Sequence, residues 1–315
     1  MGSLCKDAAG SRKTIRAGAA KAPPVLRGHS LGFATITENL YPHSMATLQS
    51  VILNLENIAP LRLAADWDSV GLLVGTRRPT IERVMACLSL TAEVAREAIR
   101  ERAGLILTHH PLPFRPVTRI TDDSTTGHLL LDLIAAGIGV YSAHTAWDSA
   151  ENGINDLLAA MMELTAISPI EPDALDPRVG FGRMGHAPDG LSLSACAEQA
   201  AQRLKSPGVQ VSGDHRRPAG QIGIVCGSGG ESVTAVVRAG CTTLLTGEIK
   251  LHGVLEASAA GLSVIALGHY SSERFAIDVL AQRLQAVLPD LHCWASRDET
   301  DPLKWIGAST LSDKD

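Results

Sequence analysis

From residue 83 onward the chain alternates short apolar runs with amphipathic stretches, and this alternation limits the fold more than any other feature of the sequence. "RVMACLSL" (83–90) reads as a strand, "TAEVAREAIRERAG" (91–104) as a helix with a threonine cap and a glycine stop, and "LILT" as the next strand. "GHLLLDLIAAG" follows as a helix, "IGVYSA" as a strand and "NGINDLLAAMMEL" as a helix. Such strand-helix-strand repetition predicts an α/β fold with mainly parallel or mixed sheets covered by helices. Ahead of it, Leu48, Val51, Ile52, Leu55 and Ile58 recur at three- and four-residue spacing, which predicts an amphipathic helix ended near Pro60.

The stretch 168–190, rich in Pro, Gly and Asp, interrupts the rhythm and marks a candidate boundary. Beyond it we expect helices at 192–204, 231–239, 250–260 and 271–287, with strands at 208–212, 221–225, 242–246, 262–267 and 291–295. The expected organisation is therefore a first α/β domain over 45–170 and a second over 171–315, whose C-terminal part can pack back on the first. The halves echo each other: Arg102-Ala103-Gly104 precedes "LILTHH" and Arg238-Ala239-Gly240 precedes "CTTLLTGEIKLH". Two similar units facing each other across a cleft would explain this, since open α/β sheets bind ligands at their strand ends. The general commonness of helix-glycine-strand junctions would explain it equally.

Composition narrows the function classes. A chain of 315 residues, 45% hydrophobic, can build one large or two moderate cores. A formal net charge of −5 and 3% aromatic content disfavour nucleic-acid binding, which calls for basic surfaces and stacking platforms. No stretch approaches the roughly 18 uninterrupted apolar residues of a membrane span. The six cysteines are scattered, with no C-x-x-C pair, and read as reduced, buried thiols of a cytoplasmic protein. Residues 1–44 lack sustained periodicity and are expected to be a mobile extension; a transit peptide fits their basic balance, although Met45 as the functional start is the simpler reading.

The chemistry gathers at strand ends. "LILTHHPLPFRP" places His109 and His110 directly after a strand, "AHTAWD" pairs His144 with Asp148, and "GHYSSERF" pairs His269 with Glu273. If the backbone turns helically at the last two, each imidazole and the carboxylate four residues on share one face, about 5 to 6 Å apart at Cβ. Adjacent histidines on a regular strand point to opposite faces. At a strand end the pleat need not persist, and His109 and His110 can then each serve one ion of a pair about 3.5 to 4 Å apart, bridged by a carboxylate. A lone histidine is more often a surface or hydrogen-bonded core residue than a ligand; strand-end groups in three similar settings point to a metal site.

Other candidates are weaker. His252 in "TGEIKLH" suits a cleft proton donor or acceptor, or a plain helix-surface position. "CGSGG" (226–230) suits a tight turn, or an amide cradle for a phosphate. Asp66 and Asp68 can support the cleft or cap loop amides. His29, His43, His128, His186, His215 and His292 have no clustered partners, and neither G-x-S-x-G nor H-E-x-x-H occurs.

"DWDSVGLLVG", "LILTHHPLPFRP", "YSAHTAWDSAENGINDLLA", "CGSGG", "TGEIKLH" and "GHYSSERFA" occur in an order that resembles the GTP cyclohydrolase 1 type 2 homologue family, also called Nif-three-like. The resemblance runs from about Asp66 to Glu273. It implies two α/β domains with a dinuclear metal centre between them, often assembled as a toroidal homohexamer. It also implies His109, His110, Asp148, His269 and Glu273 as metal ligands, with His144 a nearby histidine sometimes counted among them. Two departures stand out: Ser69 where the family often has asparagine after Trp-Asp, and Cys226 where it has glycine; the long insert of some members is absent.

The expectation is thus a metal-dependent hydrolase of a nucleotide-like or phosphoester substrate, GTP cyclohydrolase 1 type 2-like. Two divalent cations, bridged by Glu273, would activate water, and His144 or His252 would move protons. Zinc, manganese, iron, cobalt and nickel all suit mixed imidazole and carboxylate ligands. The alternative is a non-catalytic metal-binding scaffold or interaction protein.

Overall fold

The computed structural model describes residues 46–306, so residues 1–44, Met45, His29 and His43 lie outside the described residues. In chain order the first elements are β1 (Ala46–Thr47), α1 (Leu48–Ile58), β2 (Gly71–Val74), β3 (Thr80–Ile81), β4 (Arg83–Cys87), α2 (Ala92–Arg100), β5 (Leu105–Thr108), α3 (Thr125–Ala135), β6 (Gly139–Ser142), α4 (His144–Ser149) and α5 (Ile154–Met161). There follow β7 (Thr165–Ser168), β8 (Glu171–Pro172), β9 (Gly180–Phe181), β10 (Arg183–His186), α6 (Leu193–Leu204), β11 (Gln210–Ser212) and β12 (Gln221–Ser228). The last are α7 (Val233–Arg238), β13 (Thr243–Glu248), α8 (Leu251–Ala259), β14 (Ser263–Ala266), α9 (His269–Val287) and β15 (His292–Ala295).

Two sheets carry the fold. One has the order β15-β4-β5-β6-β2, parallel apart from the edge strand β2. The other has the order β11-β14-β13-β12-β10-β7, in which β12, β13 and β14 are parallel and the flanking strands antiparallel. The stretch expected to be irregular between 168 and 190 supplies β10, while β7 just before it joins the same sheet. Conversely, β15 pairs with β4, so a strand from beyond residue 290 forms the edge of the first sheet.

Period-two alternation along the parallel strands sorts the core into three layers. Val84, Ala86, Leu105, Leu107 and Tyr141 of the first sheet, with Ile222, Ile224, Leu245 and Ile265 of the second, face one central core shared with α1, α5, α6 and α9. Met85, Cys87, Ile106 and Val140 face outward under α2 and α3, and Val225, Leu244 and Val264 face outward under α7 and α8. Both faces of these strands are thus covered, which is why they read as unbroken apolar runs.

Local signals behave partly as expected. Thr91 caps α2 by accepting the amide of Val94. The stop of α2 differs: Arg102, not Gly104, takes the left-handed conformation (φ 56°), and the amide of Ala103 returns to the carbonyl of Ala98. In the second half Gly240 itself is left-handed (φ 81°), so the two Arg-Ala-Gly triplets close their helices at different positions.

Candidate metal centre between the two sheets

The parallel strands of both sheets end at one place. Past β5 lie His109 and His110, past β6 lies His144, and past β14 lies His269, while β13 ends on Glu248. Ladder hydrogen bonding to the first sheet continues through both adjacent histidines, from the amide of His109 to Cys87 and of His110 to Leu88 at 2.9 and 2.8 Å. Their ring centroids nonetheless lie 5.2 Å apart, because both rings emerge beyond the end of the sheet. The expected helical turns are present: His144 opens α4 and His269 opens α9, bringing Asp148 and Glu273 round to the same faces.

Two groups of donors result, sharing His110. Ligand atoms of His109, His110 and His144 lie within 4.8 Å of one another, and so do those of His110, His269 and Glu273. In the second group Glu273 Oε2 is 3.1 Å from Nε2 of both His110 and His269, and those nitrogens are 3.2 Å apart. Donors about 2.1 Å from a common centre stand about 3.0 Å apart in an octahedron and about 3.4 Å in a tetrahedron, so this triangle has the size of a coordination face. The other oxygen of Glu273, Oε1, is 3.7 Å from His109 Nε2, which in turn is 3.6 Å from Asp148 Oδ1. Glu273 therefore faces both groups.

The protein fixes which ring nitrogen is offered. Nδ1 of His144 meets Asp68 at 2.8 Å, Nδ1 of His269 meets Glu248 at 3.1 Å, and Nδ1 of His110 meets Ser89 at 2.7 Å. An ionised carboxylate only accepts, so His144 and His269 donate through Nδ1 and, when neutral, keep the Nε2 lone pair free. Asp68 was among the sequence candidates, and Glu248 lay unremarked inside "TGEIKLH"; nothing local marks Ser89. Asn155 was also missed: its amide donates to the carbonyl of Asp148 at 3.0 Å and accepts the amide of Cys226 at 2.9 Å, tying α4 to β12.

Glycine at two positions makes room. A Cβ on Gly227 (φ +67°) would stand 2.2 Å from Glu273 Oε1, and one on Gly247 would stand 2.5 Å from the carbonyl of Gly227 and from Ser272 Oγ. The "CGSGG" stretch thus continues β12 through Ser228, and its amides are engaged: Gly227 donates to Ser272 Oγ and Gly229 to the carbonyl of Glu248. That use of the backbone removes those two amides from a phosphate cradle.

Electrostatics favour a cation here. Both ring nitrogens of His109 and Asp148 Oδ1 are buried without a hydrogen-bond partner among the described residues, a costly arrangement unless something else binds them. Burial pushes His109 down to about 4, so its ring is neutral at physiological pH. Burial and the charge of Glu273 push Asp148 up to about 8. Burial also opposes charge on Glu273, yet the imidazoles around it hold its carboxyl well below the usual range. For His269 burial is outweighed by Glu273 and Glu248, which raise it to about 9. A carboxylate such as Asp148, whose proton is held so firmly, would give that proton up to a divalent cation bound there. The donor set fits metal ions: imidazoles and carboxylates oriented by Asp68, Ser89 and Glu248, with a bound cation taking the place of the proton on His269.

His252 stays apart. It is exposed in the first turn of α8 and joins neither group. Beside the cluster opens a cavity of about 710 Å³, with Asp148 and Cys226 on one side and Arg62, Trp67, Phe181 and Arg238 around it.

A two-sheet α/β frame with histidines and acids at facing strand ends defines a class of proteins built around a polar centre. Residues 46–302 match the Duf34/NIF3 (NGG1p interacting factor 3) family, and the chain belongs to it. It is 31% identical over 260 residues to a GTP cyclohydrolase 1 type 2 homolog of Clostridium perfringens, covering 82% of this chain and 99% of the relative. It is 32% identical over 268 residues to a protein of the same description from Streptomyces coelicolor, covering 82% and 94%. A solved structure, a hypothetical protein of Staphylococcus aureus, superimposes with a TM-score of 0.76 at 26% identity, covering 83% of this chain and 100% of that one.

Proposed function

We propose that the protein holds two divalent cations between its sheets and hydrolyses a phosphoester or nucleotide-like substrate. The observation that carries this reading is the convergence on Glu273 of four groups: buried atoms of His109 and Asp148 without hydrogen-bond partners among the described residues, and Nε2 of His110 and of His269, each 3.1 Å from its carboxylate. His110, His269 and Glu273 would hold one ion, and His109, His144 and Asp148 the other, with Glu273 between them. His144 moves in this assignment from proton transfer to coordination, because Asp68 occupies its Nδ1. Divalent ions bound there supply Lewis acidity and an activated water at neutral pH. The chain's own part is to keep His109 neutral by burial, to orient the other rings through Asp68, Ser89 and Glu248, and to offer the adjoining cavity to the substrate. A proton-transfer role for His252 would require another element to carry it toward the cluster, since its ring stands exposed on α8.

The description GTP cyclohydrolase 1 type 2 homolog carried by the relatives supports a nucleotide-like substrate. Zinc, manganese, iron, cobalt and nickel all suit this donor set. No helix among the described residues is long and apolar enough to cross a membrane. A cytoplasmic location and a homo-oligomer, a toroidal hexamer by family likeness, belong to the same proposal, and the oligomer is supported by Leu251 and Leu255, 70% and 56% exposed on α8.

Elemental analysis of protein purified without added metal tests the centre: about two ions per subunit are expected, and their retention after replacing His109 and Glu273 together with alanine would refute it. Screening the metal-loaded protein against nucleotides and phosphoesters tests the activity, with turnover expected and lost in Asp148→Ala. A non-catalytic interaction protein is the second reading, favoured by the family description NGG1p interacting factor 3. Bound metal without turnover on any substrate would support it.

A further inference from the structure

Aromatic residues make up only 3% of the chain, yet three of them face solvent around the candidate centre. Trp67 is 68% exposed and Phe114 55%, and the ring of each stands steeply across that of His144, at centroid distances of 6.0 and 6.1 Å. They come from separate loops, Trp67 ahead of β2 and Phe114 after β5. Phe181, 38% exposed, lines with Trp67 the cavity that opens beside Asp148. Its volume of about 710 Å³ lies within the range of small-molecule cavities, about 300–1,000 Å³.

Leaving an indole in water forgoes about 25 cal/mol for each Å² of apolar area that could be buried. A large exposed ring on a loop is tolerated anywhere, but rings on separate loops converging at a polar centre and its cavity point to a ligand. Aromatic faces and edges prefer another π system to a saturated ring of equal area. Of the two arginines in the lining, Arg62 is already paired with Asp173 at 2.8 Å.

We propose that Trp67 forms the wall of a subsite for a planar aromatic or heteroaromatic ring of the substrate, whose phosphoester group reaches the cluster at Asp148. This rests on the phosphoester reading above and narrows it: aryl and heteroaryl esters are taken in preference to saturated ones. Phe181 lines the same cavity, and Phe114 borders His144 from its own loop.

The test is calorimetric titration of the metal-loaded full chain with phenyl phosphate and cyclohexyl phosphate, which match in carbon number and charge and differ in planarity. Phenyl phosphate should bind at least about three-fold more tightly, the size expected of one aromatic pair. Trp67→Ala should bring the two esters to parity and Trp67→Phe should keep the preference, with metal content per subunit unchanged in both. Equal affinities in the unaltered protein, or a preference that survives Trp67→Ala, overturns the subsite. A Trp67→Ala protein that changes oligomeric state while keeping the preference would place this ring between copies and equally overturn it. Titration with inorganic phosphate separates the parent reading: phosphate bound with no ring preference sinks the subsite alone, whereas no phosphate bound sinks both.

Discussion

Asp68 accepts a hydrogen bond from Nδ1 of His144 at 2.8 Å, and this contact leaves Nε2 as the one lone pair the neutral ring can offer. Asp68 is itself steadied by the amide of Thr145 at 3.1 Å. Burial disfavours its charge, but the bonds from His144 and Thr145 outweigh burial and lower its pKa. Replacing Asp68 with asparagine keeps the shape and loses the charge. Metal affinity, measured by chelator competition, should fall about 10- to 100-fold, the usual effect of an outer-layer partner, while stability changes by less than about 2 kcal/mol.

Gly227 and Gly240 form a matched pair for a backbone test. Both have positive φ, +67° and +81°, but a Cβ at Gly227 meets Glu273 Oε1 at 2.2 Å and one at Gly240 meets nothing within 4 Å. Gly240→Ala should cost only the strain of the left-handed backbone, about 1–2 kcal/mol in a denaturant titration, with metal content unchanged. Gly227→Ala should cost at least as much and also displace Glu273, so that bound metal is lost.

Asn155 joins the two halves of the centre through one side chain. Asn155→Asp keeps the acceptor for the amide of Cys226 but loses the donor to the carbonyl of Asp148. Because Asn155 is buried, a lost donor and an added charge should cost about 2–4 kcal/mol by thermal or urea unfolding. Asn155→Ala should weaken metal binding as well, since α4 is then free to shift away from β12.

Glu97 sets an acid limit on stability far from the centre. Fully buried on α2, it receives Nε1 of Trp294 at 3.1 Å, the hydroxyl of Ser296, and the amides of Arg297 and Asp298 at 3.0 Å. Burial raises its pKa, but these donors outweigh burial and the net shift is downward. A depressed folded pKa means the contribution is complete above the unfolded value, about 4.3, and is lost as pH falls through the folded one. Glu97→Gln should therefore cost about 2–3 kcal/mol near pH 7, and the gap from the unaltered protein should narrow as pH falls through and below the unfolded value of about 4.3 in urea titrations. A gap that stays constant over that window would contradict the assignment.

Much of the site was legible in the sequence because its groups travel in short local units. "LILTHH", "AHTAWD" and "GHYSSERF" each combine an apolar strand with a polar exit, and four-residue spacing placed His144 with Asp148 and His269 with Glu273 on helix faces now seen in α4 and α9. The contacts that escaped join residues remote in the chain. Ser89 and His110 are 21 residues apart and Asn155 and Cys226 are 71 apart, and no local pattern encodes either contact. "CGSGG" stayed open in the sequence for a related reason: its glycines suit a tight turn or a phosphate cradle as well as they suit the close approach of Glu273, which comes from the packing of α9 on β12 and β13.

By itself the sequence determined the α/β class, since apolar runs and amphipathic helices at those spacings can bury their surface only as helices on sheets, and it determined that imidazoles and carboxylates sit at strand exits. Tertiary structure alone decided how closely the exits of the two sheets approach, which oxygen of Glu273 is turned to each group of histidines, and which ring nitrogen each partner leaves free. The physical reason is range: periodicity acts over a few residues, whereas donor atoms 3 Å apart are set by how whole layers pack, with β15 closing the first sheet and α9 packed against strands of both.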